Sequence, residues 1–232
     1  ATPACIAAHS GRENSIRALA ELGADVNKPS VDEATPAFIA AQKGHEASIR
    51  ALAELGADLN TPNNNGATPA YIAAQEGHED SIRALAELGA DLNTPTNKGA
   101  TPTCIAAHSG HEASIRALAE LGADVNTPTN DGFTPVMIAA HCGHENSIRA
   151  LAELGADVNT SGNKGTTPVF VAALEGHEDS IRALAELGAD LNTAGDNGRT
   201  PAFAAAQEGH EDSIRALAEL GADLNTAGDN GR

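Results

Sequence analysis

The chain has 232 residues, a formal net charge of −18, three cysteines, and 41% hydrophobic but only 2% aromatic residues. This composition excludes a disulfide framework, disfavours binding to nucleic acid because like charges repel, and asks for a core of Ala, Leu and Ile rather than a disordered acidic chain. No run of about 18 apolar residues and no basic region leading into an apolar one is present, so neither membrane insertion nor a secretory leader is expected.

Seven copies of a 33-residue repeat fill residues 2–34, 35–67, 68–100, 101–133, 134–166, 167–199 and 200–232, leaving only Ala1 over. A repeat this short does not bury its own apolar face, so neighbours must stack, and a single array over residues 1–232 is expected. Each repeat opens with Thr-Pro, from Thr2-Pro3 to Thr200-Pro201. In residues 68–100, Thr68 reads as a helix N-cap and Pro69 as the first helical residue. Tyr71, Ile72, Ala73 and Ala74 continue a short helix that Gly77 ends. A second helix opens near Glu79 and Asp80, whose charges suit a helix N-terminus. Its apolar stripe is Ile82, Leu85 and Leu88, and Gly89 is the left-handed residue after it. The string SIRALAELGAD covers this helix unchanged in all seven repeats, beginning at Ser15 and last at Ser213. The remainder is rich in Asn, Thr, Pro and Gly and reads as a tight turn. Asn65-Gly66, Asn197-Gly198 and Asn230-Gly231 are strong two-residue turn dipeptides.

The period of 33, the TPxxxAAxxGH segment and the GADVN or GADLN segment resemble ankyrin repeats over the whole chain. The resemblance implies an all-α repeat solenoid of stacked helix–turn–helix repeats with hairpin connections. It implies a concave surface lined by hairpin tips and first helices, a convex back of second helices, and protein binding without catalytic machinery. Departures from the family pattern carry their own expectations. Where the family usually has His two residues after Thr-Pro, this chain has Cys5, Phe38, Tyr71, Cys104, Met137, Phe170 and Phe203. Apolar packing then replaces a polar tie, and the Thr keeps only its capping role. The second helix has Ser81-Ile82 and Leu85-Ala86 in place of apolar pairs. Burying a Leu contributes about 1.5–3 kcal/mol, so Leu88 and its equivalents are expected to compensate. Residues 30–34 place Glu33 where other turns have Gly, so a distorted first turn is expected.

Variation concentrates at the turn tips and first-helix ends, the positions that the resemblance assigns to the concave surface. They include His9, Val31, Asp32, Gln75, Asn97, Lys98, Asp196 and Arg199. The least polar stretch combines Phe133, His108, His141, Cys142 and Leu174, with Lys164 beside them. It reads as a partner-binding patch anchored by Phe133, because interface hot spots favour central aromatics within a polar rim. The competing reading has Phe133 folding back onto its own turn or the next repeat. Cys104 and His108, like Cys5 and His9, are four apart on one helix. Zinc needs four converging donors, and stacked helices lie about 8–10 Å apart, so no metal site is expected. The histidines from His45 to His210 recur with the period, Arg12 standing in the first repeat. They read as framework groups fixing the inter-helix turn, with a pH sensor as the alternative. Asn159-Thr160-Ser161 is a glycosylation sequon, discounted because Asn159 belongs to the GADVN turn. The row Glu79, Arg83, Glu87 and its counterparts reads as a solvated face of i, i+4 ion pairs, or else as a periodic docking strip.

No nucleophile–base pair, phosphate-cradling loop or convergent carboxylate pair is present. The expectation is a non-enzymatic scaffold without cofactor, binding another protein that presents a basic rim. A structural spacer or fibre component and a designed, consensus-like array are the alternatives. Free thiols and the family pattern suggest an intracellular setting, cytoplasmic or nuclear. The chain starts at a first helix and stops at Asp229-Asn230-Gly231-Arg232, where another Thr-Pro is due. Both end faces are therefore apolar, and the expectation is a longer array, a covering chain, or end-to-end self-association.

Overall fold

The computed structural model describes residues 1–31 and 33–226. Among these residues it is all helical, with fourteen α-helices in seven consecutive pairs and no strand. The pairs are α1 Pro3–His9 with α2 Glu13–Glu21, α3 Pro36–Gln42 with α4 Glu46–Glu54, α5 Pro69–Gln75 with α6 Glu79–Glu87, and α7 Pro102–Ser109 with α8 Glu112–Glu120. They continue with α9 Pro135–Cys142 and α10 Glu145–Glu153, α11 Pro168–Glu175 and α12 Glu178–Glu186, and α13 Pro201–Glu208 and α14 Glu211–Glu219. The chain divides into two compact units, residues 1–124 and 125–232. Within each, first helices stack on first helices and second on second, so that α3 packs on α5 and α4 on α6, and likewise α11 on α13 and α12 on α14.

Local chemistry explains the repeated pair. Thr68 has an extended backbone, and its Oγ1 accepts the N–H of Tyr71 at 3.2 Å, satisfying one orphan donor of α5. Thr2, Thr35, Thr101, Thr167 and Thr200 cap their helices in the same way. Thr134 has the cap backbone without the bond. The first helix ends at a left-handed glycine such as Gly77, φ +75°, and the second at Gly89, φ +85°. The positions two after Thr-Pro are buried at Cys5, Phe38, Cys104, Met137 and Phe170, as apolar packing requires.

Two expectations about the second helix and the tips need correction. Leu88 is the C-cap of α6 and only half-buried, so it does not replace a core leucine. The buried residues of α6 are Ser81, Ile82, Ala84 and Leu85; the stripe runs through small side chains instead. The tips are not two-residue turns either. Asn63 accepts from the N–H of Gly66 at 2.9 Å and donates to the carbonyl of Ala67 at 2.9 Å, which makes a three-residue loop with one left-handed glycine. The first tip keeps this pattern rather than distorting it. Ser30 donates to Ala34 at 2.8 Å, Glu33 donates to Ser30 at 3.1 Å, and Glu33 itself adopts φ +58°. Turn closure outweighs the steric cost of a Cβ there. Asp32 and the Asn230-Gly231 dipeptide lie outside the described residues.

Three ladders tie successive repeats. The first runs through histidine: Nε2 of His78 is 3.1 Å from the carbonyl of Gln42, and that of His111 is 3.1 Å from the carbonyl of Gln75. The imidazole therefore reaches the preceding repeat's first helix, in addition to standing in its own inter-helix turn. The second ladder runs through asparagine: Asn60 Oδ1 accepts the N–H of Asp91, and Asn93 Oδ1 that of Asp124, each at 2.8 Å. The third is ionic. Arg83 bonds Glu79 of its own helix at 2.9 Å and Glu120 of the next repeat at 2.8 Å. Glu87 is held by Arg50 of the preceding repeat at 2.6 Å. The expected Arg83–Glu87 pair within one helix is thus replaced by a pair between helices, because side-by-side stacking brings the next carboxylate closer to the guanidinium.

Replacing Glu33 by Gly should stabilise the chain by about 0.5–1 kcal/mol, since left-handed backbone costs a side-chain residue about 1–2 kcal/mol and glycine's greater unfolded-state freedom offsets part of that. Urea denaturation checks this. Gly66→Ala should do the reverse and more strongly, because a Cβ there would sit 2.6 Å from the backbone nitrogen of Asn97.

Candidate functional site

The second helices are committed to the stack, so the surface free to vary is formed by tips and first helices. In the unit 125–232, α9 and α11 end side by side. Nδ1 of His141 lies 3.4 Å from Oε1 of Glu175, and the carbonyl of His141 receives Nε2 of His177 at 2.9 Å. Cys142 is half-buried, and burial first, then the negative charge of Glu175, pushes its thiol pKa up. Leu174 is half-buried, and its carbonyl is 3.0 Å from Nε2 of His210. These are the residues that the structure brings together.

Phe133 and Lys164 occupy successive tips of the same unit. The backbone of Phe133 is pinned twice to Thr129, its N–H donating to Oγ1 at 3.2 Å and its carbonyl accepting the Thr129 N–H at 2.9 Å. Phe133 as a residue is half-buried. Lys164 is exposed, holds a left-handed φ of +63°, and lends its carbonyl to the N–H of Asp196 at 2.9 Å. His108 is exposed at the end of α7 in the other unit, while Cys104 on the same helix is buried with its thiol pKa raised by burial. The two side chains of that spacing have opposite environments. Among the described residues no three His, Cys, Asp or Glu side chains cluster as a ligand set. The sequon residue Asn159 has its side-chain amide engaged on both sides, by Asp190 N–H at 2.8 Å and by the Gly188 carbonyl at 3.2 Å.

Sequence reasoning missed a second feature, in residues 1–124. A groove of about 370 Å³ opens between two tips and α5, lined by Phe38, Asn63, Asn65, Tyr71, Gln75, Asn97 and Lys98. Tyr71 fills the position that is buried at Cys5, Phe38, Cys104, Met137 and Phe170; like Phe203 it is only half-buried, and burial raises its phenol pKa. The groove pairs an aromatic face with amides and one cation. The tips around it are rigid: Asn97 takes the carbonyl of Asn65 with its N–H and that of Asn64 with its side-chain amide, each at 3.0 Å. The available signal was that Tyr71 is the single tyrosine of the chain, standing among Cys, Phe and Met equivalents.

The family model for ankyrin repeats matches in three copies, over residues 4–96, 89–162 and 159–227. Among solved structures, the chain is similar to the human ASB11 ankyrin repeat domain, with 27% identity and a TM-score of 0.82 over 95% of this chain and 98% of that one. No curated protein matches. No helix of the described residues is long and apolar enough to cross a membrane.

At pH 8, Cys142 should react with a thiol reagent more slowly than an unperturbed cysteine, because a raised pKa leaves less thiolate. Glu175→Gln removes one of the two causes and should speed the reaction. Mass spectrometry of timed alkylation reads both, and equal rates in the two proteins would show that the carboxylate has no part.

Proposed function

The chain belongs to the ankyrin-repeat family, and from that premise we propose that residues 1–232 act as one non-catalytic scaffold that binds another protein through its tips and first helices. The observation that carries this reading is the division of labour within the repeat. Every second helix is spent on ladders between repeats, whereas tip side chains such as Phe133, Lys164 and Asn65 stand on backbones already fixed by their own hydrogen bonds. Rigid tips cost little entropy on binding. Phe133 anchors a partner in the second unit, with His141, Cys142, Leu174 and Lys164 on the same unit; His108 belongs to the surface of the first unit. Tyr71 anchors it in the first. The excess of carboxylates favours a partner with a basic rim around an apolar anchor, and disfavours nucleic acid. The setting that fits the family and the three free thiols is intracellular. A spacer role is the second reading, favoured by ladders that recur with the same partners from repeat to repeat.

A displayed library of folded domains selected on this protein supplies binders for the test. Phe133→Ala or Tyr71→Ala should weaken the selected binders by about tenfold or more, the loss typical of an aromatic anchor. The association rate should fall as salt rises. Binders indifferent to both substitutions would overturn the assignment of the surface, and tight DNA binding at physiological salt would overturn the choice of partner class.

A further inference from the structure

The groove beside α5 runs against the charge of the chain. The protein carries 32 Asp and Glu against 14 Lys and Arg, yet no carboxylate lines this groove and one ammonium, that of Lys98, does. The tip position that holds Asp131 in a later repeat holds Asn65 and Lys98 in the two tips here. The cations of the second helices are taken up by glutamates, as Arg83 is by Glu79 and Glu120. Among the described residues Lys98 has no such partner. The polar groups of the lining are sorted as well. Asn63 Oδ1 accepts the N–H of Asn65 and that of Ala67, each at 3.0 Å, which leaves its NH2 to donate elsewhere. The Tyr71 hydroxyl and the Asn65 side-chain amide carry no hydrogen bond among the described residues. Burial raises the phenol pKa, so the Tyr71 oxygen keeps its proton and is a donor. Phe38 and Tyr71 add ring surface beside these groups. Unspent donors and one cation next to an apolar wall suit a carboxylate on a short apolar stem.

We propose that this groove takes an acidic side chain of the partner protein, glutamate or aspartate, with the apolar residue next to it lying on the Tyr71 ring. The inference rests on the reading of the tips as a protein-binding surface and narrows it. A partner whose rim is basic in general places one acidic residue here. The volume of about 370 Å³ is at the small end for a ligand site, with room for one or two side chains rather than a folded element. A lysine or arginine entering it would meet Lys98 and no carboxylate, so the groove rejects the residue type that the rest of the surface attracts. Such a local reversal of charge sets register: many basic surfaces are drawn to the chain, and the one with a carboxylate at the right place seats. The walls are fixed beforehand, since Asn97 holds the carbonyls of Asn65 and Asn64 at 3.0 Å, and little ordering is left for binding to impose.

Three blocked dipeptides, acetyl-Leu-Glu-amide, acetyl-Leu-Gln-amide and acetyl-Leu-Lys-amide, test this on the 232-residue chain. Tyr71 is the only tyrosine and there is no tryptophan, so its ring signals in the NMR spectrum report the groove alone. The Glu dipeptide should shift them saturably, with a dissociation constant of about 10⁻³ M. The Gln and Lys dipeptides should bind about fivefold more weakly or not at all, the upper range for one exposed ion pair. Lys98→Gln should erase the preference for Glu over Gln with an unchanged circular dichroism spectrum. Lys28→Gln, the same change of charge at an exposed residue outside the groove, should leave it intact. Equal binding of the three, tighter binding of the Lys dipeptide, no shift with any of them up to about 10⁻² M, or a preference that survives Lys98→Gln overturns the proposal. Selected protein binders separate this failure from that of the surface itself. Binders weakened by Tyr71→Ala but indifferent to Lys98→Gln would sink the acidic ligand and leave the binding surface standing.

Discussion

The stack depends on an imidazole lying against the glycine that ends the preceding first helix. A helix terminus leaves carbonyls without partners, and here the next repeat supplies the donor. Nε2 of His177 meets the carbonyl of His141 at 2.9 Å. A carbonyl only accepts, so this nitrogen must carry a proton, and it does so in either the neutral or the charged ring. The same ring explains why the residue beneath it is glycine. A Cβ on Gly143 would come within 2.7 Å of Nδ1 of His177, and the backbone there is left-handed at φ +74°. Room for the ring and freedom for the backbone are required at one atom. The Gly-His pair recurs in the sequence because each glycine answers the histidine of the following repeat, while each histidine answers the glycine of the one before.

The other two ladders explain why variation concentrates outside the second helix and the segment that follows it. Asn126 uses both ends of its amide on the next repeat, taking the Asp157 N–H at 3.1 Å and giving to the Gly155 carbonyl at 3.2 Å. Asp190 is held in turn by the Asn192 N–H and the Thr193 hydroxyl, which keep its carboxyl below the usual range. Altering one residue of the GADVN or GADLN segment would leave a donor or acceptor unmatched in a neighbouring repeat as well as in its own. A tip residue answers mainly to its own turn, and to the tip beside it through backbone atoms or, at Asn97, through a side-chain amide on the Asn64 carbonyl. Side chains at tips are thus the part of each repeat that changes without disturbing the stack, and recognition of a partner is a property of side chains.

Much of this was legible in the residues, for reasons that are local. Thr-Pro, Gly77 and Gly89 act within one turn of helix, so their consequences appear where the letters stand. What was hidden acts across repeats. Arg83 has a carboxylate four residues ahead in Glu87, and the sequence invites that pairing; the structure gives it Glu120, which is the same position one repeat later. Periodicity makes the two indistinguishable on paper, since every i+4 partner has an identical i+37 partner. Glu33 was hidden for a different reason. Its side chain is disfavoured at φ +58°, but two backbone hydrogen bonds of the turn require that angle, and they prevail. Of the candidate site, the placement of Phe133 and Lys164 on tips could be read from the repeat, whereas the Tyr71 groove depends on how one ring tilts between two tips.

The serine of six of the second helices, α4 to α14, connects these observations. The hydroxyls of Ser48, Ser81, Ser114, Ser147, Ser180 and Ser213 are buried without a hydrogen-bond partner. Each such group costs about 1–3 kcal/mol relative to a satisfied one, and alanine would avoid the cost. Size is what serine and alanine share, and α6 buries both Ser81 and Ala84 against its neighbours. A larger side chain at either position would hold the second helices apart. The arginine that spans them would then lose its reach to the next carboxylate, which it now meets at 2.6–2.8 Å. The thin apolar stripe and the polar ladders are consequently one design: small residues bring the helices close, and closeness lets short-range polar contacts repeat along the stack in place of a thick hydrophobic core.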